Sequence, residues 1–339
     1  MNKNIKIFVA EQFDPWFNLA TENWIFNDME TDSHVLFLWR NSETVVIGRL
    51  QNPWTECLTH KMEEDGVHLT RRQSGGGAVF HDLGNTNFTF MSSKESYDKS
   101  RNNKIITNAL KRFQIEAYPN GRNDIEIKTE EGPRKISGSA FKLNKDRSFH
   151  HGTLLINTDL NKLATYLNPD KKKLEAKGIK STRARVANLV EANPDITHES
   201  LCEAIIEEFC KEYESKAEVE ILNYDFLKTV PKVKEYYEQL KDWDWVYGKT
   251  PKFNHKFETR FQWGGVEVHL NSNKGMIEEV TIFSDSLFPP LIESFMESLK
   301  DIPYRSASVK SQLDSLKDKF TDHHQEIEDF SDWISTVIS

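Results

Sequence analysis

A doubled arginine followed by three glycines constrains this chain more than any other stretch. Residues 71–91 read RRQSGGGAVFHDLGNTNFTFM, so the glycine run leads directly into an alternating apolar segment. Glycine lacks a Cβ atom, and successive glycines can adopt positive φ and bring backbone N–H groups close to an anion. Arg72 and Ser74 stand beside the run and can add charge-assisted hydrogen bonds. From these residues two interpretations stay open: a hairpin turn between segments 67–70 and 78–80, or a nest for a phosphate or carboxylate.

The overall composition indicates a folded chain without a membrane segment. Hydrophobic residues make up 37% of the 339 positions, aromatic residues 11% and charged residues 29%, which excludes a disordered chain. No apolar segment is long enough for a signal peptide or a membrane span, so we expect a cytoplasmic protein. Cys57, Cys202 and Cys210 fit neither a disulfide framework nor a zinc site. The net charge of -9 argues against general nucleic-acid binding.

Local patterns near the amino terminus predict strands alternating with helices. Asp14 is placed to cap a helix that begins at Pro15. Apolar segments 35–39 and 44–48 flank a polar turn, which predicts a hairpin. Pro53 then predicts the start of a helix that continues to Glu64 and ends at Gly66.

The middle of the chain mixes antiparallel strands with helices. The patterns predict a meander of three strands and helices before and after it, over residues 103–113, 125–128, 134–143, 149–157, 199–213 and 231–243. Such a mixture indicates an α+β fold.

The pattern restarts after residue 249, which predicts a second domain. Alternating segments and helical periodicities there predict three strands followed by three helices, over residues 257–263, 266–270, 276–283, 290–299, 306–319 and 325–337. We therefore expect a catalytic domain over 1–246 and a small α+β accessory domain over 250–339, which has no chemical constellation of its own. Segment 241–251 is the expected hinge.

Three segments of the first domain suit a polyanionic ligand: 71–85, 134–140 and 171–185. The third contains seven lysines and arginines against one glutamate, and by itself a charge run of this kind is typical of a solvated loop. Lys135 lies in a predicted strand beside small residues, where it either meets a ligand or acts as a solvated edge charge. His150 and His151 must face opposite ways on a strand, so one can carry a proton while the other is a core residue.

These motifs resemble the two-domain bacterial lipoate-protein ligases. The resemblance rests on the run 71–85, on KISGSA at 135–140 and on HHGTLL at 150–155. Four further segments extend it over nearly the whole chain: 14–20, 121–124, 167–173 and 263–267.

The resemblance implies a large mixed-sheet catalytic domain of the biotin and lipoate ligase type, related to class II aminoacyl-tRNA synthetases, with a small C-terminal domain. It implies that lipoate, ATP and Mg²⁺ give lipoyl-AMP and pyrophosphate, and that the lipoyl group passes to a lysine of a lipoyl domain. The implied acceptors are 2-oxoacid dehydrogenase E2 subunits and glycine-cleavage H protein. A monomer that binds neither nucleic acid nor membrane is expected.

Matching positions imply the site residues. The residues that match ATP contacts are Arg72, Gly77, Ala78, Val79, Phe80 and Lys135. The residues assigned to lipoate are Lys135, Ser74, Gly75, Gly76 and His81, with Lys135 as the catalytic residue. Further candidates are Asn123, Asp124, Ser137, His151, Lys180 and Arg183, and the segment 167–189 matches a loop that folds over the adenylate. The metal ligands are not given by the sequence.

The chemistry fits these residue types. A carboxylate that attacks the α-phosphate is already ionised at neutral pH, so this step needs positioning and charge neutralisation, which Lys135 can supply. Two other functions stay open. An acyltransferase that uses preformed lipoyl-AMP or an octanoyl carrier is one, although no cysteine lies in the motifs. A non-catalytic adenylate- or nucleic-acid-binding module is the other. A biotin ligase is disfavoured because the Gly-Arg-Gly-Arg pattern is absent.

Overall fold

The computed structural model describes most of the chain as two compact units. The residues it describes are 4–30, 32–49, 51–121, 123–167, 186–248, 253–284, 286 and 288–338. The larger unit comprises Met1–Arg49 and His68–Lys241, and the smaller unit comprises Leu50–Val67 and Asp242–Ser339. This division differs from the predicted single boundary near residue 248, because the helical segment after Arg49 packs with the carboxyl-terminal residues.

The secondary structure follows the predicted α+β alternation. The strands are β1 (Ile5–Ala10), β2 (His34–Trp39), β3 (Thr44–Ile47), β4 (His68–Arg71), β5 (Val79–His81), β6 (Asn85–Ser93), β7 (Ala117–Asn120), β8 (Asp124–Thr129), β9 (Gly132–Leu143), β10 (Arg147–Leu155), β11 (Val219–Leu222), β12 (Phe253–Phe261), β13 (Gly264–Asn273) and β14 (Met276–Ser284). The α-helices are α1 (Pro15–Asn27), α2 (Pro53–Glu56), α3 (Thr59–Asp65), α4 (Lys99–Lys111), α5 (Leu160–Tyr166), α6 (His198–Glu212), α7 (Asp225–Thr229), α8 (Pro231–Lys241), α9 (Trp243–Val246), α10 (Pro289–Ser298), α11 (Ser306–Asp314) and α12 (His324–Val337). None of the described helices is long and apolar enough to cross a membrane.

A mixed eight-stranded sheet forms the centre of the larger unit. Its strand order is β11-β1-β2-β6-β10-β9-β8-β7, with β1 parallel to both of its neighbours and antiparallel pairing from β2 onward. The predicted meander is confirmed, since β8, β9 and β10 are consecutive neighbours. The predicted hairpin of segments 35–39 and 44–48 is wrong, because β2 lies inside this sheet while β3 belongs to another.

The glycine run connects two strands that do not pair with each other. β3 lies between β4 and β5, parallel to the first and antiparallel to the second. The hairpin interpretation of residues 67–80 is therefore excluded, and the glycines cross over the end of β3.

Side-chain alternation gives the large sheet two different faces. Leu36 and Leu38 of β2 pack with α4 and α6 in an apolar core. Trp39 lies on the opposite face, where its indole Nε1 donates to Thr89 Oγ1 at 3.1 Å. Helix α1 covers this second face, and Asp14 caps it through hydrogen bonds to the N–H groups of Trp16 and Phe17, as predicted.

The smaller unit packs helices on a three-stranded antiparallel sheet of β12, β13 and β14. Its core joins the sheet to α10, α11 and α12, with the Phe295 and Phe330 rings stacked at 4.3 Å between centroids. Trp54 of α2 belongs to the same core and meets the ring of Tyr304 edge-on at 4.8 Å. The predicted helix from Pro53 to Glu64 is two short helices, α2 and α3, and Gly66 ends the second at φ 70°.

Candidate active site

A cavity of about 330 Å³ lies in the larger unit, on the sheet face that carries Trp39. Strands β6 and β10 provide Asn87 and His151 to its wall, and residues 76–79 from the glycine run and the start of β5 also line it. Lys135 and Asp124 stand at the side formed by β8 and β9. Its size and its mixture of apolar and polar groups suit a small-molecule ligand.

A β-bulge directs Lys135 into this cavity. The register between β8 and β9 shifts by one residue, so that Ile125 pairs with Ser137 while Glu126 pairs with Lys135. In a regular strand residues 135 and 138 would face opposite ways, but the extra residue places them on one face. The Lys135 ammonium accordingly lies over Gly138, where an added Cβ atom would be 2.6 Å from Nζ. A side chain at this position would displace the lysine from the place that it occupies here.

Asp124 provides the counter-charge of Lys135. Its Oδ1 lies 2.8 Å from Lys135 Nζ, and its carboxylate is 9% exposed. The backbone of Lys135 is also tied down, because its carbonyl accepts a hydrogen bond from Ala187 N at 2.9 Å. The lysine is thus held at both its backbone and its charged end.

Arg72 supports the glycine run from within the protein. Its Nη2 donates to the carbonyls of Gly75 at 2.7 Å and Gly77 at 2.8 Å, while Nη1 donates to Val46 O at 2.9 Å. Burial lowers the pKa of Arg72 to about 10, which leaves the guanidinium charged at neutral pH. These hydrogen bonds to two carbonyl groups of the run fix its backbone conformation.

Steric constraints show why residues 48 and 76 are glycines. Gly76 adopts φ +94°, and a Cβ atom there would lie 2.9 Å from Arg72 Nη2. A Cβ atom on Gly48, at the end of β3, would lie 2.2 Å from Gly76 O. Gly75, in contrast, has nothing within 4 Å of its Cβ position.

A buried chain of hydrogen bonds links α1 to the glycine run. Glu22 Oε1 accepts from His151 Nδ1 at 2.9 Å and from Thr89 Oγ1 at 2.7 Å. His151 Nε2 lies 2.8 Å from Ser74 Oγ, which also accepts from Arg72 Nε at 3.0 Å. Nδ1 donates to the carboxylate, and Nε2 makes the hydrogen bond with the Ser74 hydroxyl. Glu22 therefore helps to orient the glycine run through His151.

A second buried chain fixes the orientation of His81. Asn18 Nδ2 donates to Asn41 Oδ1 at 3.0 Å, so the other end of the Asn41 amide, Nδ2, donates to His81 Nδ1 at 3.2 Å. The remaining proton of the neutral imidazole must then sit on His81 Nε2. Burial, followed by the Arg72 charge, lowers the pKa of His81 to about 3 and keeps the ring neutral.

The structure brings most of the predicted site residues to the cavity wall. Those that line it are Arg72, Gly76, Gly77, Ala78, Val79, His81, Asn123, Asp124, Lys135 and His151. Ser74 is one hydrogen bond behind it. Phe80 packs its ring against Tyr166, and Ser137 is fully buried next to the core residue Ile136. Lys180, Arg183 and the basic segment 171–185 lie outside the described residues.

Sequence reasoning missed Glu22, Trp39 and Asn87. Glu22 could have been found, since it shares the helical face of the buried residues Leu19 and Phe26, where a carboxylate needs a partner. Trp39 and Asn87 carry no comparable local signal, because only the pairing of β2 with β6 brings them together.

No cysteine is among the described residues that line the cavity. Cys57 ends helix α2 in the smaller unit, and Cys202 and Cys210 belong to α6. Burial raises the pKa of the Cys202 thiol to about 12, which removes its nucleophilic character at neutral pH.

Comparison with known proteins identifies related domains over nearly the whole chain. Residues 14–210 match the lipoyl protein ligase A/B catalytic domain, and residues 250–334 match the bacterial lipoate protein ligase C-terminus. The lipoate-protein ligase A of Psychrobacter cryohalolentis is 55% identical over 335 residues, which is 97% of this chain and 98% of the relative.

Solved structures share this architecture. P. falciparum LipL1 in complex with lipoate is 38% identical, with coverage of 98% of this chain and 99% of that one and a TM-score of 0.64. A bi-partite lipoate protein ligase from Thermoplasma acidophilum, described with its E2 lipoyl domain, is 26% identical at 72% and 96% coverage, with a TM-score of 0.63. A lipoate-protein ligase A bound with ATP is 25% identical at 73% and 98% coverage, with a TM-score of 0.59.

Proposed function

Because the chain belongs to the lipoate-protein ligase family, we propose that it activates lipoate with ATP and transfers the lipoyl group to a lysine of a lipoyl domain. The observation that carries this proposal is the position of Lys135, which lines the same cavity as Gly76 and Gly77 of the glycine run. A cation beside such a nest suits a carboxylate and a phosphate brought together.

The first step brings two negatively charged groups into contact, the carboxylate of lipoate and the α-phosphate of ATP. A lipoate carboxylate oxygen attacks the α-phosphorus of ATP, and pyrophosphate leaves with the electron pair of the broken P–O bond. Lys135 moves from Asp124 to bridge the attacking oxygen and the α-phosphate, which lowers their repulsion. The glycine run, held by Arg72, binds the phosphate through its N–H groups.

The second step transfers the acyl group. The acceptor lysine nitrogen attacks the lipoyl carbonyl carbon, AMP leaves with the electron pair of the broken C–O bond, and the nitrogen loses a proton to water. Lys135 stabilises the carbonyl oxygen as negative charge develops there. The acceptor in this step is a lipoyl domain, such as that of an E2 subunit or an H protein.

Mg²⁺ is included in the proposal as the ion that accompanies ATP. Among the described residues no group of three or more histidine, cysteine or acidic side chains forms a metal site. The residues present fit a magnesium ion that would be held largely by the ATP phosphates, with Asp124 as the carboxylate on the cavity wall that would add a ligand.

Mass spectrometry of an apo lipoyl domain tests the function. Incubation with the protein, lipoate, ATP and Mg²⁺ is expected to add one lipoyl group to one lysine, and omission of ATP should prevent it. Lipoate-dependent ATP–pyrophosphate exchange measures the adenylation step separately from the acyl transfer. Modification by added lipoyl-AMP without any exchange activity would show a transferase instead.

A further inference from the structure

Strand β9 changes its hydrogen-bonding partner on the way to Lys135. The backbone pairing of β9 with β10 covers residues 139–143. At Gly138 a side chain takes over from the backbone, because Gly138 N donates to Thr153 Oγ1 at 3.2 Å. Backbone carbonyl groups inside a folded protein are nearly always hydrogen-bonded, so the edge of β9 at Lys135 needs a donor from elsewhere in the chain.

A short segment, residues 186–191, supplies that donor and is called the strap below. Val186 forms a parallel bridge with Lys135, and Ala187 N donates to Lys135 O at 2.9 Å. Both strap residues are buried. On the opposite edge of β9, Lys135 pairs with Glu126 of β8. The backbone of Lys135 is therefore held between β8 and the strap.

Asn188 anchors the strap to the chain that follows β10. Its Oδ1 accepts from Thr158 N at 3.0 Å, and its Nδ2 donates to Thr158 O at 2.9 Å. These two bonds bind both polar groups of the Thr158 backbone and fix the orientation of the amide. The side chain is buried, and Val190 N adds a further bond to Ile156 O at 3.1 Å. The strap is thus attached just beyond the end of β10.

Glu191 joins the strap to β9 through a second route. Its Oε1 accepts from Asn188 N at 2.8 Å, and its Oε2 lies 3.2 Å from Arg134 Nη1. An ion pair exposed to this extent adds little stability. It nevertheless connects the strap to the residue that precedes Lys135, so the strap contacts two successive residues of β9.

The position of the Lys135 ammonium depends on this backbone. The bulge between β8 and β9 directs the side chain over Gly138, where Nζ lies 2.8 Å from Asp124 Oδ1. Adenylation as proposed above requires the same ammonium to meet a carboxylate and a phosphate together. A reacting group that is displaced by about 1 Å can cost about 100-fold in rate.

We propose that Asn188 is a positioning residue for adenylation: by anchoring the strap against β9, it fixes the backbone of Lys135 and hence the place of its ammonium. The inference rests on the proposed function and adds to it a residue that acts through another. Asn188 is not among the described residues that line the cavity. Its effect on the reaction therefore passes through the strap.

The test is a double-mutant cycle in lipoate-dependent ATP–pyrophosphate exchange. Asn188→Ala removes both bonds to Thr158, and we expect kcat to fall about 10- to 100-fold. The KM values for ATP and lipoate should change less than about threefold, because the lost interaction belongs to the transition state. In the Lys135→Ala protein the same change should lower the residual rate less than about threefold, since the ammonium that it positions is already gone.

Asn193→Ala is the matched control. Asn193 also bonds to backbone through both ends of its amide, since Nδ2 donates to Phe113 O and Oδ1 accepts from Asp195 N, each at 2.9 Å. These bonds hold the chain to the turn after α4, so kcat should stay at the wild-type value. Circular dichroism and thermal melting establish that each variant is folded. If Asn188→Ala is not, Glu191→Ala provides the test, with a fall in kcat of about two- to fivefold.

Crystal structures of the two asparagine variants give a second measurement that does not depend on turnover. The distance from Lys135 Nζ to Asp124 Oδ1 is 2.8 Å in the wild type. It should lengthen in Asn188→Ala and stay unchanged in Asn193→Ala.

Three results would overturn the inference. A folded Asn188→Ala protein with the wild-type kcat would show that the anchor does not matter for the reaction. Losses that multiply in the Lys135→Ala protein would show that Asn188 acts by another route. Equal losses in the Asn188 and Asn193 variants would indicate a general effect on the fold. A wild-type protein without lipoate-dependent exchange would instead contradict the proposed function, and the crystal structures would still decide whether the strap positions Lys135.

Discussion

The interiors of the two units differ in what they bury. The larger unit buries amides, a carboxylate and imidazoles on one face of its sheet, including Asn18, Glu22, Asn41, His81 and His151. The buried polar side chains described in the smaller unit, apart from Tyr304, are hydroxyls of serine and Thr59. Burying amides, carboxylates and imidazoles costs desolvation unless each finds a partner, so their concentration around one cavity marks the unit that performs chemistry.

Lys135→Ala should have the largest effect. Removing the ammonium takes away the charge that bridges carboxylate and phosphate, and we expect lipoate-dependent exchange to fall about 1,000-fold or more. The matched control is Lys128→Ala, a lysine exposed on the neighbouring strand β8, which should retain full activity. Near-normal exchange in the Lys135 variant, with folding intact, would contradict the assignment.

Phe330→Ala should lower the stability of the smaller unit without lowering the exchange activity. Phe330 is fully buried in the core of the smaller unit, and its truncation is expected to lower that unit's free energy of unfolding by about 3–5 kcal/mol. Differential scanning calorimetry measures the change, and exchange activity well below the unfolding temperature should stay at the wild-type rate. Phe209→Ala, in the core of the larger unit, should instead reduce stability and activity together. Loss of exchange in the folded Phe330 variant would show that the smaller unit takes part in adenylation.

Gly76→Ala and Gly75→Ala together test whether the backbone conformation of the glycine run matters for ATP. Alanine at 76 must adopt a positive φ and displace Arg72 Nη2, so kcat/KM for ATP should fall roughly 10- to 100-fold. Alanine at 75 meets open space and should be tolerated. Steady-state kinetics on both variants measures the difference, and equal losses would mean that the side chain blocks the ligand directly.

His150→Phe should weaken the acid sensitivity of the larger unit. Burial lowers the pKa of His150 from 6.5 to about 3, and that of His81 to about 3 as well. Below pH 6.5 the unfolded chain therefore binds protons that the folded chain does not, and stability falls as the pH falls from about 6.5 towards 3. Each histidine accounts for about 2 kcal/mol between pH 7 and pH 5. Urea unfolding at the two pH values measures the free energy of unfolding, which should fall less in the variant than in the wild type. An equal fall in both proteins would mean that other groups cause the acid sensitivity.

Local sequence signals predicted the positions of the helices and strands better than they predicted which strands pair. The Asp14 cap, the meander of β8 to β10 and the three strands and three helices of the smaller unit follow from capping, alternation and helical periodicity. The pairing of β2 and β3 was mispredicted because a polar turn between apolar segments does not reveal that β3 pairs with β4 and β5 instead. For the glycine run the residues left a hairpin and an anion nest open, and the structure excludes the hairpin. Arg72, which the resemblance assigns to ATP, donates to two carbonyl groups of the run, and its assignment to ATP stays a prediction.

The sequence by itself determined the composition of the site: a glycine run flanked by arginine and serine, and a strand lysine beside small residues. Those signals are local, since glycine conformations and strand alternation depend on neighbouring residues. Only the tertiary structure decided that a β-bulge turns Lys135 over Gly138 towards Asp124, and that Glu22 and His151 form a hydrogen-bonded chain behind the glycine run. These arrangements depend on strand register and on partners far apart in the chain, which no local pattern encodes.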